Sequence, residues 1–518
     1  MNFPSAFIII LFIFSSSLLA IYQYQYSNQN NLNAQKQNDF SCPDCNVIII
    51  LIDTFRFDHL SSYSYFLNIN PNIDRLASNG VLFENAYATA SWTLPSHMSI
   101  FTGVYPNKHG VNILYTRLPE NITTLPEYLK ARNYTNVWVS PLDSEVLNLS
   151  LGFNRGIDYT IDENNSLGNI NFTEPLSWIL KNSGKKFYMF LHTFVVHEPN
   201  IRQSGEKAKF YSDYNGTILD TKERLNAGRF KQLRDALDGE PDVIYEIFGE
   251  ENVGKLRELI NGTFTYKKWN DIHLMIKPGK EGLFYGNFEY WVGAYRDSMN
   301  LSDTNDVRYL NALYDESILK ADEEIGRFIA MLNASSILNK TVIIILSDHG
   351  QEIGDHGDFG HYPRSLHEEL VHVPLIIYNP QKPEGKRINA LVSAVDILPT
   401  ILDIVGIRIP DSASMHGRSL VPLISGSDSN LHKYIFGFTY QAKFVANETW
   451  KLMTYPNGTE ELYNVANDRN EHMNLVSTRR DIAQELREII SDFESEEGKI
   501  FVINPEEASA RLREAGYA

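Results

Sequence analysis

The chain is poor in cysteine, has no excess of positive charge, and carries only one long apolar run. Two cysteines in 518 residues exclude a disulfide-built scaffold and a four-cysteine zinc module. Lys and Arg number 46 against 64 Asp and Glu, a formal charge of −18, so no basic field exists to hold a polyanion and nucleic acid is not an expected partner. No internal repeat is visible. What is present is a 43% hydrophobic composition, enough to bury a large core.

The apolar run, Pro4 to Tyr22, has almost no polar groups apart from Ser, and the first lysine is Lys36. It reads as a membrane-targeting segment: a retained anchor over residues 1–22, with a cleaved signal peptide as the alternative. The polar stretch that follows, within 23–45, reads as a solvated linker. Asn-x-Ser/Thr triplets begin at Asn121, Asn133, Asn148, Asn164, Asn171, Asn215, Asn261, Asn300, Asn333, Asn339, Asn447 and Asn457, all beyond that segment. Together they point to an extracytoplasmic glycoprotein, membrane-anchored or secreted. Cys42-Pro-Asp-Cys45 suits a local disulfide outside the cell, lacks two further zinc ligands nearby, and is given no part in the main chemistry.

Asn46 to Asp53 (NVIIILID) is an apolar, β-branched run ending in a carboxylate, the pattern of a central parallel strand that delivers a polar residue at its carboxyl end. Lys186 to His192 and Thr341 to Asp348 repeat it, and Val373 to Tyr378 is a further buried strand. Helical spacing falls at Leu125 to Arg132 and Val307 to Leu332. The alternation predicts an α/β fold with a largely parallel sheet flanked by helices and a site along its carboxyl edge. A catalytic domain over 46–426 carries an insertion, about 199–306, without strand rhythm, placed near the site's mouth. Short strands at Tyr434–Phe438 and Thr449–Tyr455 and a helix from Arg479 to Glu496 indicate a smaller subdomain over 427–518.

Four stretches could supply the hard oxygen ligands, imidazoles and nucleophile that metal-assisted ester cleavage requires. They are Asp53 to Leu60, the segment around Thr93, His192 to His197, and Ser347 to Gly357 continuing to His361. Each has a structural alternative: an Asp ending a strand caps a helix, a Thr before Pro makes a turn, and a His beside Asp is a hydrogen-bonded surface group.

Ala90 to Gly103 (ASWTLPSHMSIFTG) resembles the sulfatase signature Cys-x-Pro-Ser-Arg with its following turn. Pro71 to Ala77, Phe83 to Tyr87, Tyr314 to Glu316 with Asp322 to Gly326, His372 to Ile376, Val395 to Thr400, His416 to Leu420, Glu461 to Asn464 and Arg511 to Tyr517 resemble that family's further landmarks in the same order. The resemblance implies the alkaline phosphatase-like fold. It also implies that Asp53, Asp348 and His349 bind a metal with Thr93, that Thr93 is the nucleophile, and that His197 and His361 assist the leaving group or hold the anion. His192, His356 and His97 rank lower, His192 as an orienting residue and His97 in place of the family's buttressing Arg. His59, His109, His367 and His372 are expected to be structural or surface residues.

The sequence departs from the family pattern in ways that bear on substrate. Thr93 cannot become the formylglycine that sulfatases make from Cys or Ser. Thr54 stands where a second Asp is usual, Val137 to Asp143 lacks the Lys-x-His segment, and His349 replaces a common Asn. The reduced charge suits one Mn²⁺ or Zn²⁺ ion, with Ca²⁺ or Mg²⁺ as alternatives, and resembles the set of Thr-dependent phosphoglycerol transferases. The expected function is phosphate-ester hydrolysis or transfer through Thr93, on a lipid head group or glycan. Sulfate-ester hydrolysis without formylglycine and a non-catalytic membrane-tethered glycoprotein are the rival readings.

Overall fold

The computed structural model describes residues 40–495 apart from several stretches, of which 163–169, 198–207 and 281–298 are the longest, and the backbone of Phe501 and Val502. The N-terminal apolar run and Arg511–Tyr517 lie outside the described residues. Among those described, no helix is long and apolar enough to cross a membrane.

Eight strands form the central sheet: β1 Asn46–Ile52, β2 Val81–Tyr87, β3 Thr135–Ser140, β4 Tyr159–Asp162, β5 Phe187–Thr193, β6 Thr341–Leu346, β7 His372–Tyr378 and β8 Lys386–Ser393. Their order is β8-β2-β7-β6-β1-β5-β3-β4. All neighbours run parallel except β7, which is antiparallel to both β2 and β6. β1 shows why the runs are uninterrupted: Val47, Ile49 and Leu51 enter one apolar cluster and Ile48, Ile50 and Ile52 the other. A strand covered by helices on both faces has no solvent side to make polar.

The register brings the polar strand ends level. Leu51 of β1 lies opposite His192 of β5 and Leu346 of β6, so the residues that follow leave the sheet on one edge. The expected strands are all present. β3, β4 and β8 went unrecognised: β4 and β8 form the sheet's edges, where partial exposure breaks the apolar run, and β3 is a short run interrupted by Asn136 and closed by Ser140, both buried. The helix expected to reach Arg132 ends at Lys130, and Asn133 turns the chain with φ of 65°, a left-handed conformation that Asn tolerates.

Helix α1 (Pro71–Asn79) explains why two of the family-like motifs occur together. Asp322, on the 31-residue helix Thr304–Ala334, accepts from the backbone N–H groups of Asn72 and Ile73 and from Asn72 Nδ2. Helix N-terminal N–H groups have no partner within their own helix, and here a carboxylate from a distant helix supplies it.

The region expected to be an insertion contains helices Thr221–Gly239, Pro241–Phe248 and Val253–Ile260. They share a separate apolar cluster that includes Phe230, Leu233, Ile244, Ile247 and Leu256. The C-terminal part is an antiparallel four-stranded sheet, Ile435–Phe438, Lys443–Ala446, Lys451–Thr454 and Glu460–Tyr463. Helix Arg480–Glu494 packs Ala483, Leu486 and Ile490 against it. Cys42 and Cys45 are joined in a buried disulfide just before β1.

Asp322→Ala should cost about 1–3 kcal/mol of stability, the penalty for leaving buried donors unmade. Urea unfolding of the full chain should show this as a lower midpoint with an unchanged slope.

Candidate active site

Asp53 follows β1, and Asp348 and His349 follow the adjacent β6, so the sheet itself sets the two carboxylates side by side. All three side chains are fully buried, and one donor atom from each lies within 4.8 Å of the others. Thr93 is the first residue of helix α2 (Thr93–Thr102). Its Oγ1 is 3.3 Å from His349 Nε2 and 3.5 Å from Asp53 Oδ2. A helix N-terminus presents free N–H groups and the positive end of the helix dipole, which favour an anionic oxygen there.

The loops that carry these groups are tied together. The Ser347 hydroxyl accepts from Phe55 N and lies within hydrogen-bond distance of the Ile52 and His349 carbonyls. Ser96 Oγ, one turn into α2, donates to the Asp348 carbonyl. Tyr314 of the long helix accepts from Arg56 N and donates to the Thr54 carbonyl. Arg56 bonds Asp58, Asp355 and the Gln351 carbonyl, locking the first loop to the one after His349.

Thr54 occupies the left-handed region at φ 57°, a strained state for a β-branched residue. Its hydroxyl donates to the carbonyl of Asp53 at 2.7 Å. At the place where a second carboxylate was expected to be missing, the side chain therefore serves the turn.

Three of the histidines singled out in the sequence, His197, His349 and His361, lie close together. His197 and His361 have ring centroids 4.7 Å apart, and the His361 ring is 4.6 Å from that of His349. The segment bearing His361 is fixed by Ser91 Oγ donating to the Tyr362 carbonyl.

Two residues ranked low are in direct contact with the carboxylates. His192 Nε2 is 3.0 Å from Asp53 Oδ2, while its Nδ1 meets Ser140 Oγ at 3.1 Å. His97 Nδ1 is 2.9 Å from the Thr93 carbonyl and 3.3 Å from Asp348 Oδ2. Ser140 lies in the stretch that lacks Lys-x-His and was not singled out at all. The clue to His192 was its position as the penultimate residue of a parallel strand.

Others lie elsewhere. His356 and His367 stack on each other and face Glu352 and Glu369. His59, His109 and His372 are buried and not on the surface. His59 pairs with Asp315, His109 with Ser99, and His372 with Glu368.

Burial alone would raise the Asp53 carboxyl, but the hydrogen bond to His192 and the nearby His197 and His349 hold it well below the usual carboxylate range. Asp348 is also lowered: burial and Asp53 oppose its charge, and His349 and His97 overcome them. Burial lowers His192 and His349. Asp53 Oδ1 is buried with no hydrogen-bond partner among the described residues, and Asp348 Oδ2 meets only the imidazole nitrogens of His97 and His349, each at 3.3 Å. Two convergent buried carboxylates, beside an imidazole whose other nitrogen faces the Gly350 carbonyl, fit a divalent cation.

The sulfatase family model matches residues 45–407, and the model for the C-terminal region of N-sulphoglucosamine sulphohydrolase matches 354–496. Arylsulfatase K of Xenopus laevis is 22% identical over 519 residues, covering 90% of this chain and 86% of that protein. A solved complex with its substrate D-glucosamine-2-N,6-O-disulfate has a TM-score of 0.61 at 19% identity, over 88% of this chain and 98% of that one. The phosphonate monoester hydrolase of Agrobacterium radiobacter has a TM-score of 0.60 at 18% identity, over 87% and 95%. With the match spanning well over half of the chain, and the same fold beneath it, this protein belongs to the sulfatase family of hydrolases, within the alkaline phosphatase-like superfamily.

Proposed function

We propose that the chain cleaves phosphate esters, of the phosphodiester or phosphoglycerol type, with Thr93 as nucleophile and one divalent cation held by Asp53, Asp348 and His349 beside Thr93. The observation that carries this reading is an alcohol at the head of α2, 3.3 Å from His349 Nε2 and 3.5 Å from Asp53 Oδ2. Threonine offers no route to formylglycine, which leaves its own hydroxyl oxygen as the side-chain nucleophile of this position. A bound cation would lower the pKa of that hydroxyl and polarise the ester.

In the first half-reaction Thr93 Oγ1, its proton given up to solvent, forms a bond to phosphorus while the bond to the leaving oxygen breaks. His361 or His197 supplies the proton that the departing alcohol needs. Water or an acceptor alcohol, giving its proton to that same imidazole, then attacks phosphorus while the bond to Thr93 Oγ1 breaks. His192 and His97 orient the two carboxylates. The mixed imidazole and carboxylate donors suit Mn²⁺ or Zn²⁺.

Trp92, next to Thr93, meets Tyr440 of the C-terminal part edge-on at 6.4 Å, and Tyr440 is about half exposed. Such a rim suits an ester on a glycan or a lipid head group. The Cys42–Cys45 disulfide agrees with an oxidising, extracytoplasmic setting, reached through the N-terminal segment as anchor or signal.

Sulfate-ester hydrolysis is the second reading. It is favoured by the likeness to arylsulfatase K and to the glucosamine disulfate complex.

Thr93→Ala should lower turnover by about 10³- to 10⁶-fold, the range for loss of a nucleophile, with metal content unchanged. An active Thr93→Ala enzyme would overturn the mechanism. Among an aryl phosphate diester, an aryl phosphate monoester and an aryl sulfate, a phosphate ester should show the highest kcat/KM; preference for the sulfate would establish the second reading. Chelation should abolish turnover, with Mn²⁺ or Zn²⁺ restoring it more fully than Ca²⁺ or Mg²⁺; full activity after complete metal removal would exclude the cation's role.

A further inference from the structure

We propose that Glu352, His356, His367 and Glu369 form a second cation site, structural in role and suited to a zinc-class divalent ion. One donor atom from each lies within 4.8 Å of the others, and Glu352, His367 and Glu369 are buried. In a tetrahedral site with bonds near 2.1 Å, donors stand roughly 3.4 Å apart. These four need only draw together by about an ångström. Two imidazoles and two carboxylates are an ordinary donor set for such an ion.

The orientation of the imidazoles is the independent observation. Their rings stack at 3.7 Å, 7° from parallel, so one of them must turn for both to bind one ion in the plane of the ring. His356 presents Nδ1 to Glu369 Oε1 at 2.7 Å, and its Nε2 points at the backbone carbonyl of Glu471, 3.4 Å away. His367 presents Nδ1 towards Glu352 Oε1 at 3.8 Å, and its Nε2 faces Glu461 Oε2 at 3.3 Å. Each ring thus turns one nitrogen into the cluster and the other to an outer carbonyl or carboxylate, the arrangement that fixes metal-binding histidines. Ser365 Oγ is 2.6 Å from His367 Nδ1. A bound cation would displace that contact.

The cluster also sits where a clamp would matter. Gly350 N and Gln351 N, directly after His349, donate to the carbonyls of Leu370 and Glu369. Glu461 and Glu471 belong to the C-terminal part. A cation here would join the loop that carries Asp348 and His349 to that subdomain.

The site stands apart from the one around Thr93, so it can be tested with that site disabled. Full-length Asp53→Asn/Asp348→Asn protein, stripped with chelator and reloaded with Zn²⁺, should retain about one zinc per chain by plasma mass spectrometry. Adding His367→Gln should remove it. Co²⁺ loading should give visible d–d absorption that the same substitution abolishes. A folded double-Asn protein that retains no zinc would overturn the proposal, as would an unchanged zinc content after His367→Gln. Should His367→Gln fail to give a cooperative thermal transition, Glu352→Gln, which keeps the side-chain shape, is read by the same two outcomes.

Discussion

Two carboxylates, Asp53 and Asp348, lie fully buried at the ends of neighbouring parallel strands, and most of the surrounding structure answers that constraint. Buried charge without compensation is prohibitive, and a pair of like charges is worse. His192 meets Asp53, and His97 and His349 meet Asp348, each at 3.0 to 3.3 Å. Asp53 Oδ1 is nevertheless left without a hydrogen-bond donor, and Asp348 Oδ2 meets only imidazole nitrogens, those of His97 and His349. The fold therefore keeps buried negative charge beside the Thr93 hydroxyl, a setting that would attract a cation.

Holding that pocket open requires rigid loops, and the polar contacts around it are directed to backbone atoms. Ser347, Ser96 and Tyr314 bind carbonyls or N–H groups of the loops carrying the two aspartates. Thr54 is held in a left-handed conformation that a threonine would not choose alone, and the bond from Tyr314 to its carbonyl holds it there. Arg56 does the same between loops, with burial opposing its charge and Asp355 and Asp58 more than restoring it. Interlocking of this kind fixes the two aspartates relative to each other, the precision that the proposed catalysis would need.

The strand endings, the ordered motifs and the Thr93 substitution were all legible from the chain, because each is a local pattern: an apolar run closed by a polar residue, or a fixed spacing. The family assignment rested on them, and the sheet was read as parallel from the same runs. The edge strands and the interior β3 were not legible, since partial exposure erases the pattern in the first and buried polar residues interrupt it in the second. The contacts of His192 and His97 were not legible either. Asp53 and His192 are 139 positions apart, and only strand register makes them neighbours.

The split has a single physical cause. Sequence determines what is encoded by neighbours along the chain: β1 and β6 as buried strands, Asp53 and Asp348 at their ends, and Thr93 before a proline at a helix start. Tertiary structure alone decided which imidazoles face those carboxylates, that Thr54 turns its hydroxyl to its own backbone, and that Glu352, His356, His367 and Glu369 converge. Such groupings depend on how distant loops pack, and the orientation of a buried ring is set by whichever acceptor the packing leaves within reach.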